Sequence, residues 1–163
     1  MLIRKAERQD IPALLDIYNY EIDNGIATLD INRKSPEDWR KWYDNHNIGN
    51  HPLIVCECDG ETVGYASLSS YREKEAYSTT VELSVYVSAY HRGKGVGKAL
   101  MAEILRIAKE DESICTVVSV ITSGNEASCR LHEYFGFEYC GKIRDAAIKF
   151  GKFIDIENYS LRV

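Results

Sequence analysis

Three things are missing from this chain: a disulfide framework, a long apolar run and an excess of basic charge. Its five cysteines, Cys56, Cys58, Cys115, Cys129 and Cys140, are odd in number and lack paired spacing, which excludes a disulfide-stapled fold. No C-x-x-C and no His-rich segment offers a zinc site, so no metal is expected. The cysteines read as reduced, mostly buried small hydrophobes. No stretch approaches the roughly 20 apolar residues of a membrane-spanning helix. Arg4, Lys5 and Glu7 break the N-terminus before a signal-peptide apolar region forms, so a cytoplasmic location without membrane contact is expected. The formal net charge of -5 argues against a nucleic-acid partner, because phosphate neutralisation takes clustered Lys and Arg. With 163 residues and no linker or internal repeat, residues 1–163 are expected to form one domain with a sizeable core.

What is present is an alternation of strand and helix signals, which predicts an α/β domain. Leu2–Ala6 reads as a strand, and Asp10 as the cap of a helix carrying Ile11, Leu14, Leu15, Tyr18 and Ile22 at helical spacing. Ser35-Pro36-Glu37-Asp38 is a second helix start, with an aromatic face of Trp39, Trp42 and Tyr43 that reads as core. Leu53–Cys58 and Thr62–Ser70 read as a hairpin turning at Asp59-Gly60. Tyr77–Val87 reads as a long strand with Glu82, Ser84 and Tyr86 on one face. Val96, Leu100, Ile104 and Ile107 mark a helix, and Ile114–Ile121 a strand buried on both faces. A loop ending at Asn125 starts a short helix that Gly136 stops, and two strands follow with breaks at Gly141 and Gly151.

The most informative segment is His91-Arg92-Gly93-Lys94-Gly95-Val96-Gly97-Lys98, set between a strand and a helix. The first turn of a helix has unpartnered N–H groups and the positive end of the dipole. Glycines let a backbone approach an anion closely, and Arg92, Lys94 and Lys98 add charge. The combination is suited to phosphate or pyrophosphate. A P-loop needs glycine where Arg92 stands and Ser or Thr where Ala99 stands. The dinucleotide fingerprint needs a third glycine where Lys98 stands.

What remains is Arg92-x-x-Gly95-x-Gly97 after Val85-Tyr86-Val87, which resembles the (Q/R)-x-x-G-x-G/A motif of the GNAT acetyltransferases. A second stretch, Asn125 followed by Leu131-His132-Glu133-Tyr134-Phe135-Gly136-Phe137, resembles a later motif of the same superfamily, with His132 at the usual Tyr position. Together with Thr80–Val87, Ile17-Tyr18-Asn19, Ala27-Thr28, Tyr71-Arg72 through Tyr77, and Lys149-Phe150-Gly151 with Asp155, these segments make nearly the whole chain similar to the phosphinothricin and methionine sulfone N-acetyltransferases. The chain departs from that family at Leu29, Asp30, Lys74 and Phe153, all on the side where such enzymes hold the acceptor.

The resemblance implies a GNAT fold: a mixed, mostly antiparallel sheet of six to seven strands flanked by about four helices. It implies acetyl-CoA as cosubstrate, held by Val85, Tyr86, Val87 and the turn Arg92, Gly93, Lys94, Gly95, Val96, Gly97 and Lys98, with Asn125 and Ser128. It implies a small-molecule amine acceptor near Arg72, Lys74 and Tyr77, and a homodimer.

Acetyl transfer to an amine needs a base, because only the neutral amine attacks. Glu82, an acid inside an apolar strand just upstream of the turn, is the candidate; an exposed or ion-paired Glu82 is the alternative. The developing oxyanion takes a backbone N–H near Val87, as in GNAT enzymes. His132 is the candidate hydrogen-bond donor to the departing thiolate, a surface or structural histidine being the alternative. Arg72 and Lys74 read either as anchors for an acceptor carboxylate or phosphinate, or as a solvated charged loop with Glu73 and Glu75. Tyr134 reads as packing. Three functions follow: acetylation of a small amino-acid analogue such as phosphinothricin, methionine sulfone or methionine sulfoximine; acetylation of a protein N-terminus or polyamine; and a non-catalytic acetyl-CoA-binding module.

Overall fold

A computed structural model describes residues 1–163. Seven strands and four helices follow one another as β1 (Leu2–Lys5), α1 (Ile11–Asn24), α2 (Pro36–Asp44), β2 (Leu53–Cys58), β3 (Glu61–Ser70), β4 (Thr80–Val87), α3 (Val96–Glu110), β5 (Thr116–Thr122), α4 (Glu126–Tyr134), β6 (Glu138–Lys149) and β7 (Lys152–Arg162). All strands join one sheet in the order β1-β2-β3-β4-β5-β7-β6, antiparallel except between β4 and β5. The mixed sheet and the helix number are those expected.

Local chemistry accounts for most boundaries. Ser35 and Asp38 close a capping box, each side chain accepting from the other's backbone N–H, with Pro36 at the first helical position. Asp59 and Gly60 both take positive φ between β2 and β3, as a two-residue hairpin turn requires. Gly136, at φ 83°, ends α4.

Several elements depart from the sequence expectation. Asp10 makes no capping bond to α1; its buried carboxylate accepts from both terminal guanidinium nitrogens of Arg4, the Glu7 N–H and the Thr62 hydroxyl. Residues Glu75–Tyr77 form a short 3-10 turn, so β4 starts only at Thr80. Gly141 sits at a bulge inside β6 and interrupts nothing. Cys115 and Cys140 are exposed, not buried. On β5, Val120 is 39% exposed, so that strand is not buried on both faces.

The sheet separates two cores. On one side α3 buries Leu100, Met101 and Ile104 against Val81, Leu83 and Val117. On the other α1 and α2 bury Leu14, Leu15 and Trp39 against Leu53, Val55 and Tyr65. Each fully buried aliphatic side chain contributes about 1.5–3 kcal/mol, so both helical layers are fixed on the sheet that carries the site.

Candidate active site

The two parallel strands at the centre of the sheet part company. β4 and β5 pair only at Thr80↔Thr116, Val81↔Val117 and Glu82↔Val118. Beyond Glu82, β4 continues beside β3 and β5 continues beside β7. The facing edges, Leu83–Val87 and Ser119–Thr122, therefore have no strand partner across the gap. A cleft of about 860 Å³ opens between them, lined also by the glycine turn and the start of α4. Glu82 stands at its apex.

The glycine turn closes one end. Gly93 and Gly95 have φ of 73° and 84°, a left-handed geometry that costs other L-residues about 1–2 kcal/mol. Ala99 N–H donates to the Gly95 carbonyl, which leaves the N–H groups of Val96, Gly97 and Lys98 without a backbone partner, as at any helix start. Nothing lies within 4 Å of where a Cβ on Gly93 or Gly95 would sit, and a Cβ on Gly97 would touch Leu131 and Val87 across the cleft. This is an open backbone cradle at the positive end of α3, with Lys94 and Lys98 exposed beside it. Arg92 is not a free cation here: its guanidinium pairs with Glu21 of α1 and donates to the Val87 carbonyl.

The stretch from Ile26 to Thr28 crosses the mouth of the cleft. Thr122 donates to the Ile26 carbonyl, and Tyr86 donates to the Ala27 carbonyl at 3.4 Å. The buried Lys149 ammonium, from the far hairpin, donates to the Thr28 carbonyl at 2.8 Å and to that of Glu21 at 3.1 Å. Lys149 enters the sequence reading only as part of a resemblance; its partners are more than a hundred residues away in the chain, so no local pattern reveals its role.

The candidate site residues fall into two groups. Glu82, Val85, Tyr86, Val87, Arg92, Gly93, Gly95, Val96, Gly97, Lys98, Asn125, Ser128 and His132 all line the one cleft, with Lys94 exposed beside it and outside its lining. Arg72 lies close enough to Glu82 for their charges to interact, whereas Lys74 and Tyr77 are exposed on the loop beyond it. Tyr134, read as packing, is 66% exposed with the Lys98 ammonium 4.0 Å from its ring centre.

Electrostatics separate the two proposed catalytic groups. Burial pushes the Glu82 carboxyl above the usual carboxylate range, and the Arg72 charge pulls partly against it; the Glu82 carboxylate makes no hydrogen bond within the chain. His132 is buried and already satisfied. Its Nδ1 lies 2.8 Å from the Ser128 carbonyl and its Nε2 2.8 Å from Ser119 Oγ. A carbonyl only accepts, so Nδ1 carries the proton and Nε2 accepts from Ser119. Burial lowers its pKa, holding the ring neutral.

A second cavity of about 500 Å³ lies over the same face of β3 and β4, between Trp39 and Trp42 of α2 and the rungs Ser69, Ser67–Ser84 and Tyr65–Tyr86. Trp39 is both core and cavity wall. Nothing in the aromatic spacing of α2 distinguishes a wall from a core; only the register with β3 does.

A profile of the acetyltransferase (GNAT) family matches residues 16–137. The chain belongs to this family. It is an acetyl-CoA-dependent N-acetyltransferase, and the open cradle and unpartnered strand edges fit that cofactor. The L-methionine sulfoximine/L-methionine sulfone acetyltransferase of Salmonella typhimurium is 31% identical over 163 residues, which is 100% of this chain and 95% of the relative. A ribosomal-protein-alanine N-acetyltransferase from Brucella melitensis is 37% identical, superimposes with a TM-score of 0.96 and is covered completely, as is this chain. A phosphinothricin acetyltransferase from Sinorhizobium meliloti, solved in complex with acetyl-CoA, is 29% identical with a TM-score of 0.94 over 99% of this chain and 88% of its own.

Proposed function

We propose that this enzyme acetylates the α-amino group of a small amino-acid-like acceptor of the phosphinothricin, methionine sulfone or methionine sulfoximine kind, by direct attack in a ternary complex. The observation that carries this reading is the place of Glu82, at the apex of the cofactor cleft and beside the aromatic cavity. Acetyl-CoA supplies the thioester acetyl group. Val96, Gly97 and Lys98 offer N–H groups to its pyrophosphate, and Lys94 and Lys98 offer charge. Glu82 takes the proton from the acceptor ammonium, aided by the burial that raises its pKa. A backbone N–H near Val87 holds the developing negative charge. Arg72 anchors the acceptor carboxylate, and the side chain runs along β4 over Ser84 into the cavity walled by Tyr18, Trp39, Trp42, Tyr65 and Tyr86. His132 does not donate to the leaving thiolate, because its Nδ1 proton is held by the Ser128 carbonyl and its lone pair by Ser119; it fixes Ser119 and the start of α4 beside the cleft, and the thiolate takes the proton that the acceptor nitrogen loses as the amide forms.

The Brucella relative favours a second reading, a protein N-terminus as acceptor. Measuring CoA release, with product mass, over phosphinothricin, methionine sulfone, methionine sulfoximine, polyamines and alanine-starting peptides separates the two. Turnover of the amino-acid analogues is expected; turnover of peptides alone overturns the first reading, and acetyl-CoA binding without any turnover overturns both. The further parts of this reading are one domain over the whole chain, a cytoplasmic location, supported by five unpaired thiols, and a homodimer. Supporting the dimer, the β6–β7 hairpin exposes Tyr139, Ile143, Ile148, Phe150 and Phe153 by 53–69%.

A further inference from the structure

Ser69 and Glu82 are register partners on β3 and β4. Directly opposed residues of an antiparallel pair point to the same face with Cβ atoms about 4.5–5.5 Å apart. Behind Ser69 stands the buried His46. Its Nδ1 lies 2.8 Å from the Trp42 carbonyl oxygen and its Nε2 2.9 Å from Ser69 Oγ, and the Trp42 ring packs on it at 4.2 Å. The carbonyl requires the proton on Nδ1, and burial keeps the ring uncharged. Nε2 is therefore a lone pair, and the Ser69 hydroxyl donates to it. Ser69, which lines the aromatic cavity, has only lone pairs left to present there.

We infer that Ser69 contacts the substrate, its oxygen accepting an N–H from the acceptor amine beside Glu82, and that His46 is the positioning residue that fixes this polarity. The inference rests on Glu82 being the base. Two consequences follow from the one arrangement. While Glu82 takes one proton, Ser69 holds a second N–H, which keeps the nitrogen in place as the lone pair freed at Glu82 turns to the thioester. Because the Ser69 proton is held away, the carboxylate beside it receives no hydroxyl hydrogen bond; such a bond stabilises the charged form and weakens a base.

The charged and titratable groups on this side of the sheet include Arg72, Tyr71 and Tyr77 from the β3–β4 loop, Tyr65 on β3, Tyr86 on β4, Tyr18 and Glu21 on α1, Asp30 and Lys34 between the helices, and Asp38 on α2. Of these, Arg72 is the one whose charge shifts Glu82, and none of the variants below alters it.

His46→Phe keeps an aromatic ring on Trp42 and removes the lone pair, which frees the Ser69 hydroxyl to donate to Glu82. The acid limb of the kcat/KM profile should then move down by about one pH unit, within the range such hydrogen bonds produce. The KM for the acceptor should rise several-fold while the Kd for acetyl-CoA holds. In His46→Phe with Ser69→Ala the limb should return to its wild-type position. Ser69→Ala alone should raise the acceptor KM and leave the limb in place, which keeps a test available should His46→Phe not fold. A limb that stays put in folded His46→Phe, a shift that persists in the double variant, or an unchanged acceptor KM in Ser69→Ala overturns the inference. If instead Glu82→Gln leaves the acid limb unchanged, it is the role of Glu82 that fails.

Discussion

Gly95 holds φ at 84° on the residue before α3, where a β-branched side chain meets the full left-handed penalty. Gly95→Val should therefore flatten or displace the turn and raise the Kd for acetyl-CoA at least tenfold, as read by calorimetric titration. Unchanged affinity would mean that the turn does not touch the cofactor. Lys149 acts at the same scale by a different route. Its ammonium is buried, with its pKa lowered mainly by desolvation and supported against that by Glu21, Asp30 and Asp23. Removing it in Lys149→Met leaves the carbonyls of Glu21 and Thr28 without this donor, at about 1–3 kcal/mol for an unsatisfied buried group. Chemical denaturation should show a loss of about 2 kcal/mol, with acceptor KM rising because Thr28 helps frame the cleft.

Among the elements, α4 and α2 are each fastened by a neutral histidine: His132 to Ser119 of β5 and His46 to Ser69 of β3. Both have pKa values lowered by burial, so the unfolded chain binds their protons first as pH falls. Their stabilisation is fully present above about 6.5, the unfolded value, and is lost as pH falls from there towards the folded values. The melting temperature should decline between pH 6.5 and 5, and His132→Gln should flatten part of that decline; an unchanged slope would show that His132 does not titrate on unfolding. The same elements show what a sequence can disclose. The α2 cap, the β2–β3 turn and the turn before α3 are written in adjacent residues, and they stand where expected. The diversion of Asp10 to Thr62 depends on a distant partner. So does the split after Glu82, because the apolar run of β5 looks the same whether β4 stays beside it or leaves. Thirteen candidate residues share the cleft because the motifs are local, whereas the aromatic cavity was hidden because Trp39 and Trp42 carry a core signal.

For the whole molecule, the β6–β7 hairpin gathers five exposed large apolar side chains, Tyr139, Ile143, Ile148, Phe150 and Phe153. Replacing Ile143 and Phe153 by Asp should turn a dimer into a monomer in light scattering, and a wild-type monomer at micromolar concentration would remove that reading. The central claim concerns the place where sheet, cleft and cavity meet. Glu82→Gln keeps the side-chain shape and removes the base at the apex. The pH dependence of kcat/KM, measured beside acetyl-CoA affinity, tests it most directly. The account predicts a fall of about 10²–10⁴-fold, loss of the acid limb and a Kd within twofold of wild type; an acid limb that survives the substitution would contradict it.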